Sequence, residues 1–119
     1  MRFELVCIGN ELLSGKVNTH IAYIGEKLST IGISLDMAVT TSDNLPELTS
    51  VLKESFRRAG VVIVTGGLGP TFDDVTRQAV SKALGKKLIF NRDLLSGIEK
   101  LFAERGREMP KNNESQAYL

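Results

Sequence analysis

The sequence predicts an α/β fold, a three-layer α/β/α sandwich built on a mainly parallel sheet. Short β-branched runs alternate with segments of helical period along the chain, as in repeated βα units. Val61-Val62-Ile63-Val64-Thr65 is an uninterrupted apolar run, the pattern of a central strand buried on both faces. A glycine-rich turn, Gly66-Gly67-Leu68-Gly69-Pro70-Thr71, follows that run, and Asp73-Asp74 stand where a helix should begin. With 119 residues the chain holds one domain, residues 1–119, around one core.

Phe3 to Ile8 reads as the first strand and Gly9 closes it. Asn10 to Gly15 is then a loop at that strand's C-terminal end. Asn18 or Thr19 can cap a helix whose inner face is Ile21, Ile24, Leu28 and Ile31, with Gly32 as the residue that ends it. Ile33, Leu35, Met37 and Val39 alternate with polar or small residues, which predicts a second strand with one wet face. Ser42-Asp43-Asn44 offers caps for the next helix, and Pro46 and Glu47 suit its first turn. Leu48, Val51, Leu52, Ser55, Phe56 and Ala59 form its buried stripe, and Gly60 stops it. Beyond the glycine turn, Val75, Ala79, Val80, Ala83 and Leu84 line a third helix that Gly85 ends. Leu88-Ile89-Phe90 reads as a short strand. Asn91 or Asp93 caps a fourth helix with Leu94, Leu95, Ile98, Leu101 and Phe102 inward and Gly106 at its end. Gly97 inside that helix costs about 1 kcal/mol against alanine. Pro110 to Leu119 is polar and has room for one more helical turn.

Composition narrows the function. Apolar residues make up 42% and charged residues 24%, as in ordinary globular domains. Fifteen basic and fourteen acidic side chains give a net charge of +1, which offers no electrostatic case for nucleic acid or an anionic membrane as partner. No apolar run approaches a membrane span, and Glu4 breaks the only apolar stretch near the N-terminus. Cys7 is the single cysteine, so neither an internal disulfide nor a thiolate metal cluster is expected. A cytoplasmic setting is the default expectation.

Ligands of parallel sheets sit outside the carboxyl ends of the strands. Three segments therefore converge on one rim: Asn10 to Gly15, Thr41 to Asn44, and Gly66 to Asp74. The glycine turn lacks the Gly-Lys-Ser/Thr ending of a P-loop, and Phe72 stands where a dinucleotide fingerprint needs its third glycine. A tight strand-to-helix turn would explain it, but four clustered Gly and Pro residues exceed that need and favour an anion site made of backbone N–H groups. On spacing alone, Asp73 and Asp74 read first as helix caps, since Thr71-x-x-Asp74 resembles a capping box. With Glu11 from the neighbouring loop they could instead supply oxygen ligands to a hard cation beside substrate phosphates. Asp43 is equally good as a cap. Lys16 and Arg77 could pair with phosphate or face solvent. His20 lacks a second His or Cys at ligand spacing and reads as structural or solvated, and Cys7 reads as core.

These residues resemble a known family. Gly9-Asn10-Glu11-Leu12-Leu13-Ser14-Gly15, Asn18-Thr19, Asp43-Asn44, Thr65 to Thr71 and Asp73-Asp74-x-Thr76 are similar, in order, to the N-terminal domain of the competence/damage-inducible CinA proteins. Gly106-Arg107-x-Met109-Pro110 and Asn112-Asn113-x-x-Gln116-Ala117 extend the resemblance over almost the whole chain. The wider group has the molybdopterin-binding, or molybdenum-cofactor-biosynthesis, fold. The resemblance implies that the loop with Thr65, Gly66, Gly67, Leu68, Gly69 and Thr71, aided by Ser14 and Asp43, holds a phosphate of a nucleotide or pterin. It implies that Asp73, Asp74 and Glu11 serve catalysis or bind a divalent metal, Mg²⁺, Mn²⁺ or Co²⁺. The activity implied is metal-dependent hydrolysis of ADP-ribose or a related nucleotide pyrophosphate. Two alternatives stand beside it: a molybdopterin- or nucleotide-binding module that does not hydrolyse, and a truncated, silent interaction domain. Deamidation of nicotinamide mononucleotide, which many CinA-like proteins carry out in another domain, is not expected of these residues. His20 departs from an Asn-Thr-Asn pattern. The family's domain also continues into further strands after the point matching Leu119, so an exposed sheet edge and homo-oligomer formation are expected.

Overall fold

The structure, a computed structural model, describes all 119 residues. Its sheet has three parallel strands in the order β2-β1-β3, where β1 is Phe3–Ile8, β2 is Met37–Thr41 and β3 is Val61–Thr65. Val6 lies between Val39 and Val64 in register, and Cys7 between Thr40 and Thr65. All three strands therefore end on the same rim.

The central strand is β1, contrary to the expectation for Val61–Thr65. From Glu4 to Ile8 every β1 residue is buried, whereas all five residues of β3 are only half-buried. An edge strand has a neighbour on one side alone, so even an all-apolar run keeps solvent contact there. The second strand is also shorter than its alternation predicted. It starts only at Met37, and just before it Asp36 accepts from the Phe3 N–H through its carboxylate (2.8 Å) and donates its own N–H to the Phe3 carbonyl (2.9 Å).

The α3 helix, Leu45–Arg58, covers one face of the sheet, with α4, Thr76–Leu84, packed beside it. Val6, Ile8, Leu48, Leu52 and Ala79 form the core between them, flanked by Val62 and Val64. Alternation turns Leu5 and Cys7 to the other face, where α2, Thr19–Ser29, packs on β1. This is the sandwich the sequence predicts. Asn18 caps α2 by accepting from the His20 N–H (3.1 Å). Gly32 closes it: the Gly32 N–H donates to Ser29 and the Ile33 N–H to Leu28, both at 3.0 Å. Among the three candidates at the next cap, Asn44 performs the role, accepting from the Glu47 N–H at 3.1 Å.

The last third departs most from expectation. Leu88-Ile89-Phe90 joins no sheet; Phe90 makes an isolated antiparallel bridge to Tyr118, and Ile89 exchanges backbone hydrogen bonds with Leu119 at 2.7 and 3.0 Å. The α5 helix, Arg92–Glu104, is capped by Asn91 but buries none of its residues. Leu94 and Leu101 are exposed, because α5 packs chiefly against a short 3-10 turn at Lys111–Ala117. No helix is long and apolar enough to cross a membrane.

Candidate functional site

The three predicted segments meet on the rim. Asn10 to Leu13 is a short helix, α1, rather than a loop, and Ser14 ties off its end by donating its hydroxyl to the Asn10 carbonyl (2.9 Å). Asp43 does not cap α3. Its carboxylate accepts from Asn10 Nδ2 (2.7 Å) while its N–H donates to Asn10 Oδ1 (3.3 Å), which fastens the first segment to the second. The Gly9 N–H donates to the Thr41 carbonyl (3.0 Å) and strengthens that join.

The glycine loop is packed against its own chain. Gly66 and Gly67 have φ of 92° and 63°, the left-handed region that side chains disfavour. A Cβ at Gly66 would collide with the Ile8 carbonyl oxygen, one at Gly67 with the Thr76 hydroxyl, and one at Gly69 with the Asp74 carboxylate. The space these glycines leave is thus occupied by protein rather than held open for a ligand. Their contribution lies in how the loop's polar groups are sorted.

Every carbonyl from Gly66 to Gly69 is taken. The Thr76 hydroxyl donates to Gly66 O (2.8 Å), and the Thr76 N–H donates to Gly67 O (3.2 Å). The Arg77 guanidinium donates to Leu68 O (3.0 Å) and Gly69 O (3.5 Å), and Gln116 Nε2 adds a second bond to Leu68 O (3.2 Å). By contrast, the N–H groups of Gly66, Gly67 and Leu68 donate to nothing in the chain. Leu68 is exposed and both glycines are half-buried. Three successive free donors stand beyond a strand's C-terminal end, the kind of group that an anion can engage.

Thr65 leads into this loop, and its hydroxyl lies 3.0 Å from His20 Nδ1 at the start of α2. His20 therefore belongs to the rim, which its lack of ligand-spaced partners could not reveal. Arg77 and Gln116 act on the loop's carbonyls. Their only sequence signals are a basic residue early in a helix and a motif near the C-terminus.

Asp73 and Asp74 precede α4 instead of starting it, and Val75 stands at the cap position without a side-chain bond. Their partner is Thr71. Its hydroxyl is shared between Asp73 Oδ1 (2.8 Å) and Asp74 Oδ2 (2.6 Å), and its N–H donates to Asp74 Oδ2 (3.0 Å). The Asp74 N–H returns a bond to the Thr71 carbonyl at 3.1 Å. The capping-box pairing survives in part, closing a turn rather than a helix. The Asp74 carboxyl is held below its ordinary range, first by the Thr71 hydroxyl, then by the N–H groups of Thr71 and Gly69 and by the charge of Arg77.

Glu11 does not join these two; its carboxylate folds against Gly9. No three His, Cys, Asp or Glu side chains are grouped so as to hold a metal ion. The donor set is a pair of carboxylates close enough to share one hydroxyl. That fits a hard cation whose remaining ligands come from water and substrate phosphate, and does not fit a cage made by protein alone.

Residues 4–114 match the family described as "Probable molybdopterin binding domain". A CinA-like protein of Endomicrobium trichonymphae is 43% identical over 121 residues, covering 100% of this chain and 28% of the relative. A CinA-like protein of Thermosipho melanesiensis is 44% identical over 116 residues, covering 97% of this chain and 29% of the relative. The chain thus spans less than a third of the length of these relatives. The crystal structure of CinA from Thermoplasma acidophilum, a protein of unknown function, superposes with a TM-score of 0.87 at 30% identity, over 99% of this chain and 69% of that one. The molybdopterin biosynthesis enzyme MoaB of Thermus thermophilus shares the fold alone, with a TM-score of 0.67 at 20% identity over 98% of this chain and 72% of that one. The chain belongs to the probable molybdopterin-binding domain family and, within it, to the CinA group.

Proposed function

We propose that this chain binds a nucleotide phosphate on the glycine loop and, with a divalent cation, hydrolyses the pyrophosphate of an ADP-ribose-type substrate. The observation that carries this reading is the sorting of the loop: acceptors tied inward by Thr76, Arg77 and Gln116, donors of Gly66, Gly67 and Leu68 left free. A surface with free N–H groups and no free carbonyls attracts anions and disfavours cations. Arg77 adds positive charge behind the loop.

Asp73 and Asp74 would hold the cation, which would neutralise pyrophosphate charge and lower the cost of attack by water. The lowered Asp74 carboxyl remains ionised for that role. The chain's own contribution is orientation. Free amides fix one phosphate, the Thr71 turn fixes the carboxylates beside it, and the rigid rim holds both.

A second reading, binding of a pterin or nucleotide without hydrolysis, is favoured by the grouping of only two carboxylates and by their engagement with Thr71. Product analysis separates the two. The purified chain would be incubated with ADP-ribose and Mg²⁺, Mn²⁺ or Co²⁺ in turn, with Asp74→Ala and Asp74→Asn as controls. AMP released only by wild type with metal supports hydrolysis. Saturable binding without AMP would replace it with the binding module, and absence of both from a folded chain would remove both readings.

A further inference from the structure

Phe72 is the most exposed of the large hydrophobic side chains: 96% of it faces solvent, more than the N-terminal methionine at 91%. A phenyl ring in water contributes nothing to the core, and its position is not left to chance. Thr71 and Asp74 flank it, and Thr71 bonds Asp73 and Asp74 through its hydroxyl and Asp74 again through its N–H. Phe72 thus sits at the apex of a turn closed from both sides, immediately past the glycine loop. Beside it opens a cleft of about 590 Å³ lined by Pro70, Thr71, Phe72, Gln78, Asn112 and Ser115, with Arg77 and Asp74 completing the wall. Gln78 and Asn112 are exposed, and their side-chain amides bond to nothing within the chain, so both can read the edge of a ring.

We propose that Phe72 is a stacking platform for the planar heterocycle of a phosphorylated ligand. Gln78 and Asn112 would face the edge of that heterocycle while its phosphate rests on the amides of Gly66, Gly67 and Leu68. The proposal rests on the phosphate-binding reading above and names the part of the ligand that the loop cannot recognise. Stacking needs a ring held by a rigid turn, because an ordered platform loses little freedom on binding. Adenine and pterin share this chemistry, being flat, nitrogen-rich and bordered by donors and acceptors.

Isothermal titration of the 119-residue chain with AMP, neopterin monophosphate and ribose 5-phosphate tests it. Wild type should bind at least one heterocyclic phosphate about 10-fold or more tighter than the sugar phosphate, the range expected of one stacked base. Phe72→Ala should abolish that advantage, leave ribose 5-phosphate affinity unchanged and leave the melting temperature unchanged. Phe72→Trp should restore the advantage. Which heterocycle loses affinity identifies the ring. An advantage that survives Phe72→Ala, or none in wild type although ribose 5-phosphate binds, overturns the platform and leaves the phosphate site standing. Failure of all three ligands to bind overturns the phosphate site and the platform together.

Discussion

The two ends of the sheet each hold a carboxylate below its ordinary range, by different means. At the amino end, Glu4 is fully buried in β1, and Arg58 Nε (2.6 Å) and Arg2 Nε (2.9 Å) both donate to its Oε1. Arg58 does most to lower its carboxyl to about 2. At the carboxyl rim, Asp74 is lowered mainly by a neutral hydroxyl and by backbone N–H groups. A carboxylate neutralised by two guanidinium groups serves the fold. A carboxylate steadied by neutral donors keeps its charge available to a cation. The amino end is built for stability, and the rim is where we propose that the ligand binds.

Substitutions can break that division. Gly66→Ala should have the largest effect, since φ of 92° and the Ile8 carbonyl both exclude a Cβ. We expect a loss of about 3 kcal/mol in urea unfolding, together with loss of phosphate binding by the folded fraction. Glu4→Gln should cost about 2 kcal/mol by the same measurement while ligand affinity stays at the wild-type value. A matching loss of affinity would show that the two ends are coupled.

The pH dependence follows from the same contrast. Glu4 titrates near 4.5 when unfolded and near 2 when folded. Its contribution is complete above 4.5 and is lost as pH falls toward 2, because the unfolded chain then binds the proton first. The urea midpoint of wild type should therefore drop across that window, and the Glu4→Gln protein should lack this component. Asp74→Asn should change stability least, about 1 kcal/mol or less, because an amide oxygen can still accept from the Thr71 N–H. Loss of AMP production without loss of fold would then separate the rim's chemistry from its structure.

Much of this was legible in the sequence, but not at the points where burial or polarity depends on distant partners. The apolar run Val61–Thr65 pointed to a buried centre, yet β1, interrupted by Glu4, occupies it. Arg58, 54 residues away, makes that acid compatible with the core. The clustered glycines of the loop suggest room for a ligand, and the structure fills that room with its own chain. Its glycines admit Ile8, Thr76 and Asp74, and Arg77 and Gln116 bind its carbonyls, contacts that local spacing does not disclose. Asn44 and Asn91 perform capping roles that local spacing foresaw. The α5 stripe was legible as a helix face, but sequence period carries no information about what lies opposite it.

The most direct test is an amide-resolved NMR titration of the chain with AMP, following Gly66, Gly67 and Leu68 against Glu4 and Arg58. The sorted loop predicts saturable downfield shifts of the three rim amides, with the amino-end pair unchanged. Saturable binding that leaves those three amides unmoved would contradict the assignment of the glycine loop as the phosphate site.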